Sequence, residues 1–210
     1  VVDHHRRRSP AGFQHHREGR ARQPRKLLAH QPDDDGVAID RARARLERGR
    51  ALFEIRHDES NPFRVDVGSA TLVDAGTVFD VSIRRSEVGV GVSEGAVIYN
   101  PARQNARIEP GRILTFDRAS ATYELANIPL DQVGEWREGR LTFLRAPLAD
   151  VAADIARASG IDYRASETSG ERAISGSIAL DPLRADPASL GPLLGVSVER
   201  RGEAWILASR

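Results

Sequence analysis

Val73-Asp74-Ala75-Gly76-Thr77-Val78-Phe79-Asp80-Val81-Ser82-Ile83 is the stretch on which the fold class turns. Val78–Ile83 is a run rich in β-branched and aromatic residues, which fit a pleated, half-buried surface. The Ala75-Gly76 step before it is turn chemistry, because glycine supplies φ > 0 at no steric cost. On both sides the rhythm of short runs repeats, at Ala51–Ile55, Phe63–Val67, Thr71–Val73, Val88–Val92, Ala96–Tyr99, Ile113–Phe116 and Ala121–Leu125. Asn61-Pro62, Gly68, Glu94-Gly95, Asn100-Pro101 and Pro110-Gly111 punctuate them. Strands at intervals of about ten residues predict an all-β unit, and a sandwich, a barrel or a β-solenoid all satisfy that spacing.

After Trp136 the texture changes. Leu141–Leu144 reads as a strand, and Pro147 stands where a helix start favours proline. Leu148, Val151, Ile155 and Ala158 recur at helical spacing, with Asp150 in the first turn and Gly160 as the stop. Strands are predicted at Ile161–Arg164 and Ala173–Leu180, then a helical segment over Leu183–Leu194 broken by Pro187. Ser197–Arg200 and Ala204–Ala208 form a hairpin about Arg201-Gly202. The whole is mainly β with a small C-terminal α+β module. The expected organisation is a tail over 1–44, a β unit over 45–128 and the module over 136–210, with a protease-sensitive joint near Ile128–Gly134.

Charge is split along the chain. The first 50 residues carry 13 basic and 7 acidic side chains, whereas residues 51–210 carry 18 basic and 23 acidic. Residues 1–35 hold five of the six histidines and few strong hydrophobes, a composition that cannot bury enough apolar surface to fold. Two origins satisfy the composition of residues 1–44: a disordered tail, or text of a shifted upstream reading frame in an Arg-rich genome. A nucleic-acid reading would rest on Arg6-Arg7-Arg8 and Arg25-Lys26 alone, and no nucleic-acid partner is expected. With no cysteine, disulfide frameworks, thiol nucleophiles and cysteine zinc sites are excluded. No apolar run is long enough to span a bilayer, so this chain is expected to lack a membrane helix.

Groups for catalysis are thin. His57-Asp58 could begin a metal site, yet residues 51–210 hold no other histidine, so a turn or surface role is expected. Ser93 has no histidine base in any nearby motif. Gly89-Val90-Gly91 lies among alternating valines and reads as a strand of small residues rather than a phosphate loop. His4-His5, His15-His16 and Asp33-Asp34-Asp35 read as a solvated tail, and Trp136 and Trp205 as core aromatics. No enzyme, metal or cofactor is expected.

Several fragments in one order resemble the FecR family of sigma-factor regulators. Gly49-Arg50-Ala51-Leu52-Phe53-Glu54-Ile55, then Pro62-Phe63-Arg64-Val65, is similar to that family's opening strands. Val73–Val81 is similar to its Ala-x-Gly-Thr-x-Phe-x-Val motif, with Gly76 and Thr77 at the turn. Val92-Ser93-Glu94-Gly95-Ala96-Val97, Glu109-Pro110-Gly111 and Trp136–Phe143 follow in place. Gly76, Thr77, Gly95 and Gly111 are thus structural turn residues.

The resemblance covers roughly residues 45–210. It implies a β-solenoid or sandwich-like subdomain followed by one similar to the secretin and TonB short N-terminal fold. It also implies the periplasmic sensor region of an inner-membrane regulator, which docks on the signalling domain of a TonB-dependent outer-membrane transporter. Contact with an extracytoplasmic-function sigma factor would need a cytoplasmic segment absent from this chain.

The docking element is expected at a sheet edge, where unpaired main-chain groups accept an incoming strand. Ile174, Ser175, Gly176, Ser177 and Ile178 are the candidates, with Ala204–Ala208 as a second edge. A carbohydrate- or peptide-binding β module is the alternative, and it needs an exposed aromatic platform.

Overall fold

Alternation of apolar and polar side chains becomes two facing sheets in the computed structural model, which describes residues 37–40, 42–55, 62–74 and 76–210. One sheet has six strands in the order β1 (Val37–Asp40), β2 (Arg43–Leu46), β4 (Phe63–Val67), β5 (Ala70–Asp74), β8 (Val97–Tyr99) and β9 (Ala106–Ile108). The other has five, in the order β11 (Thr122–Asn127), β10 (Arg112–Asp117), β7 (Glu87–Glu94), β6 (Val78–Ile83) and β3 (Gly49–Glu54). Pairing is antiparallel except between β2 and β4. The arrangement is sandwich-like, with no closed barrel.

Alternate residues of the inner strands enter the space between the sheets. Leu46, Phe53, Val65, Leu72, Phe79, Val81, Val90, Tyr99 and Leu114 are buried there together, and the Phe53 and Phe79 rings stack with centroids 5.1 Å apart. The predicted strands appear in place. Three more were not predicted: β9, whose three residues are too few to show a period, and β1 and β2. These two correct the expected tail, since folded chain reaches back at least to Val37 and β2 lies parallel to β4. In β2 only Ala44 and Leu46 are inward, and the intervening arginines hide the strand pattern.

The motif that opened the reading is a tight joint. Asp74, almost fully buried, accepts hydrogen bonds from the Gly76 N–H at 3.0 Å and from the Thr77 hydroxyl. Gly95 presses on this joint: with φ +71°, a Cβ there would stand 2.2 Å from the Gly76 carbonyl oxygen. Gly76 itself has φ +94°, and Gly111, at φ +75°, closes the β10–β11 end by receiving the Ile128 N–H on its carbonyl.

The C-terminal module has two smaller sheets. β12 (Arg140–Pro147) pairs antiparallel with β14 (Ala173–Ala179), while β13 (Tyr163–Ala165), β16 (Ala204–Ser209) and β15 (Val196–Arg201) form a three-stranded sheet in that order. Helix α1 (Leu148–Ser159) buries Leu148, Val151, Ala152 and Ile155 and ends at Gly160, φ +75°. The predicted segment after Leu180 divides into α2 (Asp181–Ala185) and α3 (Leu190–Leu194), because Pro187 cannot continue the first helix.

The connection at 128–134 is no loose linker. The Gly91 position faces Ile128 and Val133, and Gly134 packs against Leu52. Its φ of +78° leaves no room there for a side chain, with a Cβ 3.0 Å from a Leu52 methyl.

Gly95→Ala combines backbone strain with a clash against rigid backbone and is expected to cost about 3 kcal/mol. Gly68→Ala has the same sign of φ but open space around it, so it should cost only about 1 kcal/mol. Urea denaturation of both variants checks the order; equal losses would remove the close contact as the cause.

Candidate functional site

The five-stranded sheet has a second face, and its chemistry follows from the strand period of two. Where Phe79, Val81 and Ile83 point into the sandwich, Asp80 and Ser82 point the other way, yet both are buried because the C-terminal module covers them. Gly89 and Gly91 in β7 leave room for these side chains: a Cβ at Gly89 would lie 2.7 Å from the Ser82 hydroxyl oxygen, and one at Gly91 3.3 Å from an Asp80 carboxylate oxygen. Leu52 and Val78 pack with the module's own core, beside Trp136, Leu141 and Ile155.

An ionic cluster holds this seam. Arg84, with 9% of its side chain exposed, donates to Asp154 of α1 at 2.8 Å and to Glu87, and lies 5.6 Å above the Phe143 ring. Ser86 bonds Asp150 one turn earlier on the helix. Burial pushes the Asp154 carboxyl up, but Arg84, Arg50 and Arg157 outweigh it, leaving it below the ordinary range. Asp80 is different: burial raises it, and Arg50, the Gly134 N–H, Arg84 and Trp136 compensate only in part. Burial also raises Glu135, against Thr142 and two arginines. A cleft of about 390 Å³ opens along the seam beside Trp136; three of its arginines are ion-paired, Arg157 with Asp154, Arg184 with Asp181 and Arg137 with Glu54, while the buried Nε of Arg50 makes no hydrogen bond.

The expected docking strand β14 has β12 as its single strand neighbour, so its other edge is open. The Leu180 N–H donates to the Gly139 carbonyl at 2.8 Å. Because bonded and non-bonded pairs alternate in an antiparallel ladder, Ile178 and Gly176 face β12 and Ser177 and Ala179 turn their main-chain groups outward. Ser175, Gly176 and Ser177 are exposed, but Ile174 and Ile178 are buried. That corrects the five-residue site: the two isoleucines seat the strand on the module's core, and the surface consists of the residues between them.

The second expected edge, Ala204–Ala208, is central, flanked by β13 and β15. The parallel partner Tyr163–Ala165 lies about 40 positions away, a pairing no local pattern announces.

The remaining sequence candidates do not converge. Ser93 donates to the Val78 carbonyl, Trp136 is buried, and Trp205 is half-buried under Arg200. His57-Asp58 and every candidate in residues 1–35 lie outside the described residues. Among the described residues, no three His, Cys, Asp or Glu side chains group as metal ligands, and no helix is long and apolar enough to cross a membrane.

The Arg84–Asp154 pair, 70 positions apart, gave no sequence signal. Nor did the β-bulge of β12, where Arg145 takes φ +51°, leaves Leu144 exposed and donates its N–H to the Ser175 hydroxyl at 2.9 Å.

The fold is a two-sheet β unit carrying a small α+β module with an open sheet edge. The family model described as FecR protein matches residues 33–98 of the chain. The FecR family is regulatory rather than catalytic. No curated protein matches.

Two crystal structures of a "putative anti-sigma factor" from Parabacteroides distasonis ATCC 8503 share the fold. One has a TM-score of 0.70 at 21% identity over 80% of each chain. The other has a TM-score of 0.72 at 20% identity over 89% of this chain and 94% of that one.

Two outcomes test the seam. Arg84→Met leaves Asp154 buried without its main partner and should cost about 3 kcal/mol. The raised Asp80 carboxyl favours folding while protonated and opposes it as pH rises through its folded value, so Asp80→Asn should stabilise at neutral pH. That gain should vanish below about pH 4, where the carboxyl is protonated in folded and unfolded chains alike. Denaturation midpoints at the two pH values check it; a gain that persists in acid would assign the effect to packing.

Proposed function

We propose that this chain is a FecR-type protein and the periplasmic sensing region of a transmembrane regulator. On this reading it docks through the open edge of β14 onto the signalling domain of a TonB-dependent outer-membrane transporter, whose state it relays toward an extracytoplasmic-function sigma factor. The observation that carries the docking is the outward row of main-chain groups at Ser177 and Ala179, on a strand whose buried side holds Ile174 and Ile178. An added strand gains main-chain hydrogen bonds with no prior rearrangement of the module. The small side chains at 175–177 let a second backbone approach, while Gly176, at φ +148°, interrupts the edge and makes it selective for a strand that follows the break. Contact with the sigma factor falls to a cytoplasmic segment, and the seam of Arg84, Asp154, Ser86 and Asp150 supplies the rigid connection from docking module to sandwich.

Ser177→Pro removes one outward N–H and none of the bonds to β12. Titration calorimetry of the chain against the purified signalling domain of its transporter should show binding weakened about tenfold, the worth of one interfacial hydrogen bond. Circular dichroism should be unchanged. Normal affinity in the folded variant would overturn the docking assignment.

A further inference from the structure

A second open edge lies in the other unit. β11 ends the five-stranded sheet, and its six residues make it longer than β1 or β9, the outer strands of the neighbouring sheet. The outermost strand β15 carries the charges Glu199, Arg200 and Arg201, which discourage strand addition. β11 carries no proline and a single charge, Glu124, which Arg145 neutralises at 2.5 Å. Tyr123 and, on the adjoining bulge, Leu144 are 41% and 54% exposed.

The geometry of this edge selects its occupant. The Ile128 N–H donates to the Gly111 carbonyl, so in the alternating ladder Ala126 and Glu124 bond to β10 and Tyr123, Leu125 and Asn127 turn their main-chain groups outward, where the Leu125 carbonyl accepts one long 3.4 Å bond from the Arg112 guanidinium and keeps a second lone pair. Two copies of β11 meeting across a two-fold axis must pair these outward residues with one another. Only two registers do so over most of the strand. One sets Glu124 against Glu124 in a close non-bonded pair, which like charges oppose. The other sets Leu125 opposite Leu125, Tyr123 opposite Asn127, and Glu124 opposite Ala126, with no charge conflict.

We propose that β11 pairs antiparallel with β11 of a second copy of this chain in the second register, joining the two five-stranded sheets into one of ten strands across a two-fold axis. The exposed Tyr123 becomes part of the continuous face, and the β14 edge stays free.

The test uses the absence of cysteine from the chain. Opposed residues in a non-bonded pair have Cα atoms about 4.5 Å apart, within the range a disulfide spans. Glu124→Cys and Ala126→Cys are made singly. On mild oxidation a mixture of the two should give a covalent dimer, while each alone should give little. A cross-link in Glu124→Cys alone would show the rejected register and overturn the assignment, as would no cross-link in the mixture.

Sedimentation of the unmodified chain should show a concentration-dependent dimer, and Tyr123→Pro, which deletes an outward N–H only, should be monomeric with unchanged circular dichroism. A wild-type chain that stays monomeric at the concentration used for cross-linking, or a folded Tyr123→Pro variant that dimerises normally, would also overturn it.

Discussion

The second face of the five-stranded sheet constrains everything built on it. A sheet buried on one side can present any polar residue to water on the other, but β3, β6 and β7 are covered on both sides, so Asp80, Ser82 and Arg84 lose water as well. Buried charge is tolerated where it is paired and hydrogen-bonded. Arg84 meets that condition by reaching Glu87 on its own sheet and Asp154 on α1, and its guanidinium covers Phe143. The pairing ties helix, strand and sandwich at one point, and Gly89 and Gly91 exist beside it because any side chain would fill the space the polar groups occupy.

The seam holds one carboxylate below its ordinary range, Asp154, and two above it, Asp80 and Glu135, in a small space. The open edge of β14 belongs to the module and that of β11 to the sandwich, so the seam lies between the two edges. The β12 bulge reaches both: the Arg145 N–H is held by Ser175 of β14 and its guanidinium by Glu124 of β11.

Much of this fold is legible in the sequence. β3 through β8, β10 and β11 declare themselves by runs of β-branched and aromatic residues between turn glycines, and α1 by its helical spacing and its glycine stop. β9 is too short for a period to register, and β2 hides behind alternating arginines whose apolar partners are only Ala44 and Leu46. In β14, the small polar residues around Gly176 mark an exposed surface. The inward turn of Ile174 and Ile178 follows from a strand period of two only when the covered face is known.

Local chemistry in the sequence alone determined the Asp74–Thr77 turn, where Asp74, Gly76 and Thr77 close on one another within four residues; the contact that keeps Gly95 a glycine, against the Gly76 carbonyl, belongs to the tertiary structure. Tertiary structure alone decided which strands end their sheets and which polar residues are buried. Both depend on partners far apart in the chain, as when Tyr163–Ala165 makes β16 a central strand and α1 places Asp154 against Arg84. Strand period states that a residue faces one side or the other; only the packing of the module on the sandwich states what lies there.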